Sequence, residues 1–216
     1  AGLVLLQDLG ILLSSKRAVA AVFGHCLGGG FEMAMGCPVI VAHPEATIGL
    51  PEAKVGLLPG GGGTMRMRLM HQHSAKDLVE TAKNLMLGTV SSNADDAARL
   101  GYLRDTDVTV YNPDMLITVA RQIVLQTEPT PLPEWRPIEG PISGMIDRNQ
   151  DELKAKGEIS DYDETIGDRI KQVLVKSTSP ESALELERIE FRDLLGHALT
   201  HARIRHMLDT GKPLRN

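Results

Sequence analysis

Apolar and polar positions follow two rhythms along this chain, and the change of rhythm divides it. Leu3, Val4, Leu6, Leu9, Leu12 and Leu13 recur at helical spacing, which predicts an amphipathic helix leading into a strand after Arg17. Val19 to Phe23 and Val39 to Ala42 are short unbroken apolar runs, the pattern of strands buried on both faces. Between them, Gly24-His-Cys-Leu-Gly-Gly-Gly-Phe-Glu32 predicts a sharp glycine turn, with a helix beginning at Glu32-Met-Ala-Met35. A further strand-like stretch, Ala46-Thr-Ile-Gly-Leu-Pro-Glu52, precedes a second glycine run, Gly56-Leu-Leu-Pro-Gly-Gly-Gly-Gly-Thr64.

From Thr64 the rhythm is helical. Met65 to Met70 continues from the glycine run, and Ser74 is placed to cap a helix over residues 75–86 whose apolar stripe is Leu78, Ala82, Leu85 and Met86. Gly88 ends that helix. Ser92 or Asn93 caps a short helix to Leu100, Gly101-Tyr-Leu turns into an edge strand, and Pro113 opens a helix running to about Leu125. Pro129, Pro131, Pro133 and Pro137 surround the single Trp135, a stretch that cannot continue a helix. Beyond it, residues 142–153, 161–175, 180–195 and 199–208 read as charge-rich helices, with Ser179-Pro180 as a start and Gly211 and Pro213 as a stop. The chain is therefore expected to comprise a core over 1–126, a linker or covering loop over 127–141 and a helical region over 142–216.

Composition narrows the function classes. Aromatics make up 3% of the 216 residues, so the core must rest on aliphatic side chains and nine Met. A net charge of -5 argues against a nucleic-acid surface or a polybasic membrane anchor. No apolar run approaches the roughly 18 residues of a membrane span. Residues 1–13 lack the basic n-region of a signal peptide, and Cys26 and Cys37 are too few for a disulfide framework, so a cytoplasmic location is expected.

The strand, glycine turn and helix start around Gly29 would present main-chain N–H groups and the positive end of a helix dipole to an anion or a developing oxyanion. The order Leu-Gly-Gly-Gly-x-Glu, then Pro51-Glu52 twenty residues on, then Gly-Leu-x-Pro-Gly-x-Gly-Gly-Thr resembles the crotonase (enoyl-CoA hydratase/isomerase) superfamily. That resemblance implies an α/β fold of ββα spiral repeats with a C-terminal helical region. The family normally carries about a hundred residues ahead of this point, including core strands and the loop with the second oxyanion N–H, so the N-terminal part of the domain is expected to be absent. It also implies roles: Glu32 as the water-activating carboxylate, Glu52 as the donor of the α-proton, Gly29 as an oxyanion N–H donor, and Gly60 as the glycine whose N–H helps hold the water and the second carboxylate. The substrate would be an acyl-CoA thioester, coenzyme A being part of the substrate. Trimers or pairs of trimers are the implied assembly.

The ending Thr-Gly-Lys-Pro-Leu-Arg-Asn resembles the C-termini of bacterial chains that fuse a 3-hydroxyacyl-CoA dehydrogenase to a C-terminal hydratase. These residues contain no Gly-x-Gly-x-x-Gly, so NAD is expected only on an upstream dehydrogenase domain. The family often has an acidic residue where this chain has Pro38, which is suited to stopping a helix.

Other readings compete. Gly24-His-Cys-Leu-Gly28 resembles the nucleophile elbow of the dienelactone hydrolases, with Cys26 as nucleophile and Asp105 or Asp107 with His197 or His201 as partners. His197 and His201, with His206 nearby, suggest metal ligands, though no third ligand is obvious and no metal is expected. Met33, Met35, Met65, Met67 and Met70 suit either a pliable acyl tunnel or core filling. A non-catalytic assembly module is the remaining class.

Overall fold

The computed structural model describes residues 2–138 and 140–216. They pack as two units, one comprising residues 2–50, 61–63 and 90–134, the other residues 51–60, 64–89, 135–138 and 140–216. This grouping sets residues 51–60 and 64–89 apart from the stretches that flank them in sequence. The physical reason is packing: helix α4 (Ala75–Leu87) buries Leu78, Ala82 and Leu85 against α7 (Ile142–Ala155) and α8 (Asp161–Lys176).

In the first unit, β1 (Val19–Val22), β3 (Val39–Ala42) and β5 (Val108–Thr109) form a parallel sheet in the order β1-β3-β5. The central strand is buried at Ile40, Val41 and Ala42, as a continuous apolar run requires. Helix α6 (Leu116–Gln126) covers it through Leu116, Ala120 and Ile123. The edge strand does not follow directly from Gly101-Tyr-Leu. A turn intervenes, in which the buried Asp107 carboxylate accepts from the Arg104 guanidinium and from the Ile40 N–H, pinning the turn to β3.

A second pair, β2 (His25–Leu27) with β4 (Thr47–Gly49), is also parallel. The sequence pattern suggests a plain turn at β2, because three residues framed by glycines carry no periodicity of their own. With Cys26 in the ladder, helix α2 (Gly29–Gly36) starts at Gly29, three residues earlier than the pattern predicts. Helix α1 (Gly2–Ser14) exists as expected but turns the unexpected face inward. Gln7, Gly10 and Ser14 are buried, while Val4, Leu9 and Leu12 of the apolar stripe are exposed. The absence of a side chain at both Gly10 and Gly36 decides this: a Cβ on Gly36 would sit 3.0 Å from the Gly10 carbonyl oxygen, so α1 meets α2 through its small residues.

The second unit is helical. Helix α3 (Gly63–His71) belongs to it from Thr64 on, and 180–195 form α9 and 198–210 form α10; residues 94–99 in the first unit form α5. Ser74 caps α4 and Asn93, of the two residues proposed, caps α5. Glu187 of α9 is fully buried and accepts from the Met65 N–H in the first turn of α3 at 2.7 Å, a carboxylate placed where the helix dipole favours it. The buried Arg68 guanidinium has its centre 3.7 Å from the Trp135 ring centroid and donates to the carbonyls of Leu174 and Arg136 and to Gln72. Residues 127–138 contain neither helix nor strand, and Arg68 fixes the Trp135–Arg136 part of that stretch. Met65 and Met67 are core residues, as is Met35 in the first unit. Among the described residues no helix is long and apolar enough to cross a membrane.

Candidate active site

Glu32 lies in the first turn of α2 and is only 3% exposed. Burial of a carboxylate requires compensation by hydrogen bonds, and here main-chain groups provide it: Oε1 accepts the N–H of Gly61 at 2.7 Å and of Gly63 at 2.8 Å. A side chain at Gly61 would force Leu6 and the Glu32 carboxylate to move. A Cβ there would lie 2.5 Å from Glu32 Oε2 and 2.3 Å from Leu6 Cδ2 of α1. The corresponding position on Gly29 lies 4.0 Å from the same oxygen and 3.6 Å from the same methyl group. Glu32, the first turn of α2, Gly61 and Leu6 thus converge on one small space within the first unit. Gly61, Gly63 and Leu6 escape residue-by-residue reading of the sequence. The signal for the two glycines is the unbroken run of four from Gly60, whereas Leu6 is one apolar residue among many.

The start of α2 is a helix N-terminus opened by glycines. Its N-cap, Gly28, has φ 54° and ψ -131° and makes no side-chain cap. The Gly28 carbonyl accepts the Glu32 N–H at 2.9 Å, closing the first turn. The N–H groups of Gly29 and the residues after it therefore belong to the first turn of a helix, where no intrahelical acceptor exists. Beneath the helix, Phe31 meets Tyr102 edge to face with both rings fully buried, which fixes the helix axis. Pro38 follows the C-cap Cys37 and ends the helix before β3.

Glu52, in the second unit, opens a 3-10 turn over Glu52–Val55. Gly56 closes the turn at φ 83°, and the Leu57 N–H returns to the Glu52 carbonyl at 3.1 Å. Other elements grip the turn at both ends. A Cβ on Gly88, the C-cap of α4, would stand 3.2 Å from the Pro51 carbonyl oxygen. From α10, Arg203 donates to the Ala53 carbonyl at 2.9 Å and Thr200 donates to the Gly56 carbonyl at 2.7 Å. Gly60 belongs to this unit and directly precedes Gly61, the first of the two glycines that hold Glu32.

Cys26 does not sit at an elbow. It is in the middle of β2, paired with Ile48, and it lines an apolar cavity of about 350 Å³ with Cys37, Met33 and Leu13. Burial pushes its thiol up to about 11, the opposite of an activated thiolate. Asp107 is committed to Arg104 and Ile40. His201 bonds the Leu195 carbonyl, and the His197 ring packs on Tyr162. Among the described residues no group of three or more His, Cys, Asp or Glu is arranged to hold a metal ion.

The family model described as enoyl-CoA hydratase/isomerase matches residues 6–126. A Bacillus subtilis protein named "Probable 3-hydroxyacyl-CoA dehydrogenase" is 34% identical over 228 residues, covering 95% of this chain and 28% of that protein. The short-chain-enoyl-CoA hydratase of Clostridium acetobutylicum is 39% identical over 112 residues, 51% of this chain and 39% of the relative. The chain thus spans well under half of either relative. Among solved structures, an enoyl-CoA hydratase from Mycobacterium avium subsp. paratuberculosis superimposes with a TM-score of 0.60 at 16% identity, over 99% of this chain and 72% of that one. A carnitinyl-CoA hydratase from Mycobacterium avium gives 0.55 at 22% identity, over 91% of this chain and 61% of that one. At these identities the likeness establishes the fold, which is the crotonase fold.

Proposed function

Because the chain belongs to the enoyl-CoA hydratase/isomerase family, we propose that it hydrates trans-2-enoyl-CoA thioesters. The observation that carries this reading is the buried Glu32, held by the N–H groups of Gly61 and Gly63 beside the open first turn of α2. In the proposed reaction Glu32 takes a proton from water as the oxygen bonds to the β-carbon. The π electrons move to the α-carbon and the thioester oxygen, and the Gly29 N–H stabilises the enolate oxygen. Glu52, in its protonated form, delivers its proton to the α-carbon. Gly60 supports Glu52 and the water. Coenzyme A enters as part of the substrate.

The B. subtilis relative supports a place for this chain as the hydratase part of a polypeptide that also carries a 3-hydroxyacyl-CoA dehydrogenase, acting in fatty-acid β-oxidation in the cytoplasm, with NAD bound by the dehydrogenase part. A trimeric assembly, or a pair of trimers, belongs to the same reading.

The purified full-length protein should convert crotonyl-CoA to 3-hydroxybutyryl-CoA and, in D2O, place one deuteron on the α-carbon without releasing free coenzyme A. Thiol release would instead mark thioester hydrolysis and overturn the reading.

A further inference from the structure

We propose that Thr200 and Arg203 of the C-terminal helix α10 are positioning residues that set the turn carrying Glu52, an inference that rests on the role proposed above for Glu52. The two are three apart and so lie on one face of the helix. Thr200 donates to the Gly56 carbonyl at the end of the turn, and Arg203 to the Ala53 carbonyl, one residue after Glu52. Ala53 also accepts the Gly56 N–H at 3.0 Å, so both lone pairs of its carbonyl oxygen are engaged.

The direction of these bonds can be deduced. The Thr200 hydroxyl has one proton, and a carbonyl oxygen can only accept, so that proton goes to Gly56. The Tyr162 hydroxyl, 2.6 Å from Thr200 Oγ1, must then be the donor to Thr200. A one-way chain runs from Tyr162 through Thr200 to the turn. The second grip is equally well anchored. Arg203 is 1% exposed, its charge is met by Asp163 at 2.7 Å, and its Nε donates to Asn216 at the end of the chain. Gly56 completes the fit, since a Cβ there would stand 2.6 Å from Thr200 Oγ1. A turn of four residues has little rigidity of its own. Held at two carbonyls by a buried helix face, it presents Glu52 in one orientation.

The test is a kinetic cycle on crotonyl-CoA hydration by the full-length protein. Thr200→Val keeps the shape of the side chain and removes the donor; it should lower kcat about 10- to 100-fold while KM stays within about threefold. Thr200→Ser should restore most of the loss. In a Glu52→Gln background, Thr200→Val should cost less than about twofold further, because the group it positions no longer acts. If Thr200→Val folds poorly by circular dichroism, Tyr162→Phe, which deletes only the upstream donor, replaces it in the cycle with a smaller loss in the same pattern. Wild-type kcat in the folded variant, failure of serine to rescue, or an undiminished loss in the Glu52→Gln background would overturn the positioning role. Full activity in Glu52→Gln alone would instead remove the role assigned to Glu52.

Discussion

Glu32 and Glu52 are held in opposite ways. Glu32 is fixed by main-chain N–H groups of a glycine run 29 and 31 residues further on, within its own unit. The turn of Glu52 is fixed by side chains 144 and 150 residues away, on the C-terminal helix. Main-chain donors are available at every residue but can approach a buried carboxylate closely only where no Cβ intervenes, so the first arrangement is written in glycines. Side-chain donors need only the right helix face, which many sequences can present. The first site is therefore compact and intolerant of change, and the second is dispersed and depends on how a distant helix docks.

The largest effect that separates the two belongs to the carboxylates themselves. Glu32→Gln and Glu52→Gln should each lower hydration turnover by about 100- to 10,000-fold with little change in thioester KM, measured by loss of crotonyl-CoA absorbance. Near-wild-type turnover in one of them would reduce the pair to a single acting group. Next is Gly61→Ala, which drives a methyl group against both Leu6 and Glu32 Oε2. We expect a loss of about 100-fold in kcat, since a displacement near 1 Å is enough for that. A tolerated alanine would show that the first unit yields as readily as the second.

Arg68→Met gives a control inside the second unit, away from the Glu52 turn. It leaves the carbonyls of Leu174 and Arg136 without their donor and should cost about 2–4 kcal/mol of stability. Trp135, the single tryptophan, should change its emission, while kcat of the folded protein stays within about twofold. The smallest effect is expected at Cys26. Because burial raises its pKa to about 11, only about one thiol in a thousand is ionised at pH 8. Alkylation by iodoacetamide should be slow there and accelerate as pH rises towards 11, and Cys26→Ala should keep hydration within a few-fold of wild type. Fast labelling at pH 8 together with loss of activity would revive a nucleophilic role.

What could be read from the chain follows the same division. The glycine runs announce the setting of Glu32 because only glycine permits that approach, and Ser74 and Ser179 announce their helices because capping is local chemistry. The strand at His25–Leu27 is not legible in the chain because its pairing with Thr47–Gly49 is a tertiary fact that three residues cannot signal. On α1, hydrophobicity alone ranks Leu9 and Leu12 above Gly10, whereas close helix approach favours the residue without a side chain. Nothing in the spacing of the chain distinguishes Arg203 or Arg68 from other charges on helical segments. Their burial comes from carbonyls supplied by other elements, at Ala53 and Leu174.

Gly28 carries one more consequence, and it concerns handedness. Its backbone angles, φ 54° and ψ -131°, are the mirror image of an extended conformation that ordinary residues adopt freely. The bend that opens α2 thus passes through a residue whose geometry is the mirror image of its neighbours' preferred one. An L-alanine at this position would carry backbone strain, while a D-alanine introduced by chemical ligation would find its own preferred angles there. The two stereoisomers have the same atoms and the same hydrophobicity, so any difference in folding between them would report the chirality of that one step.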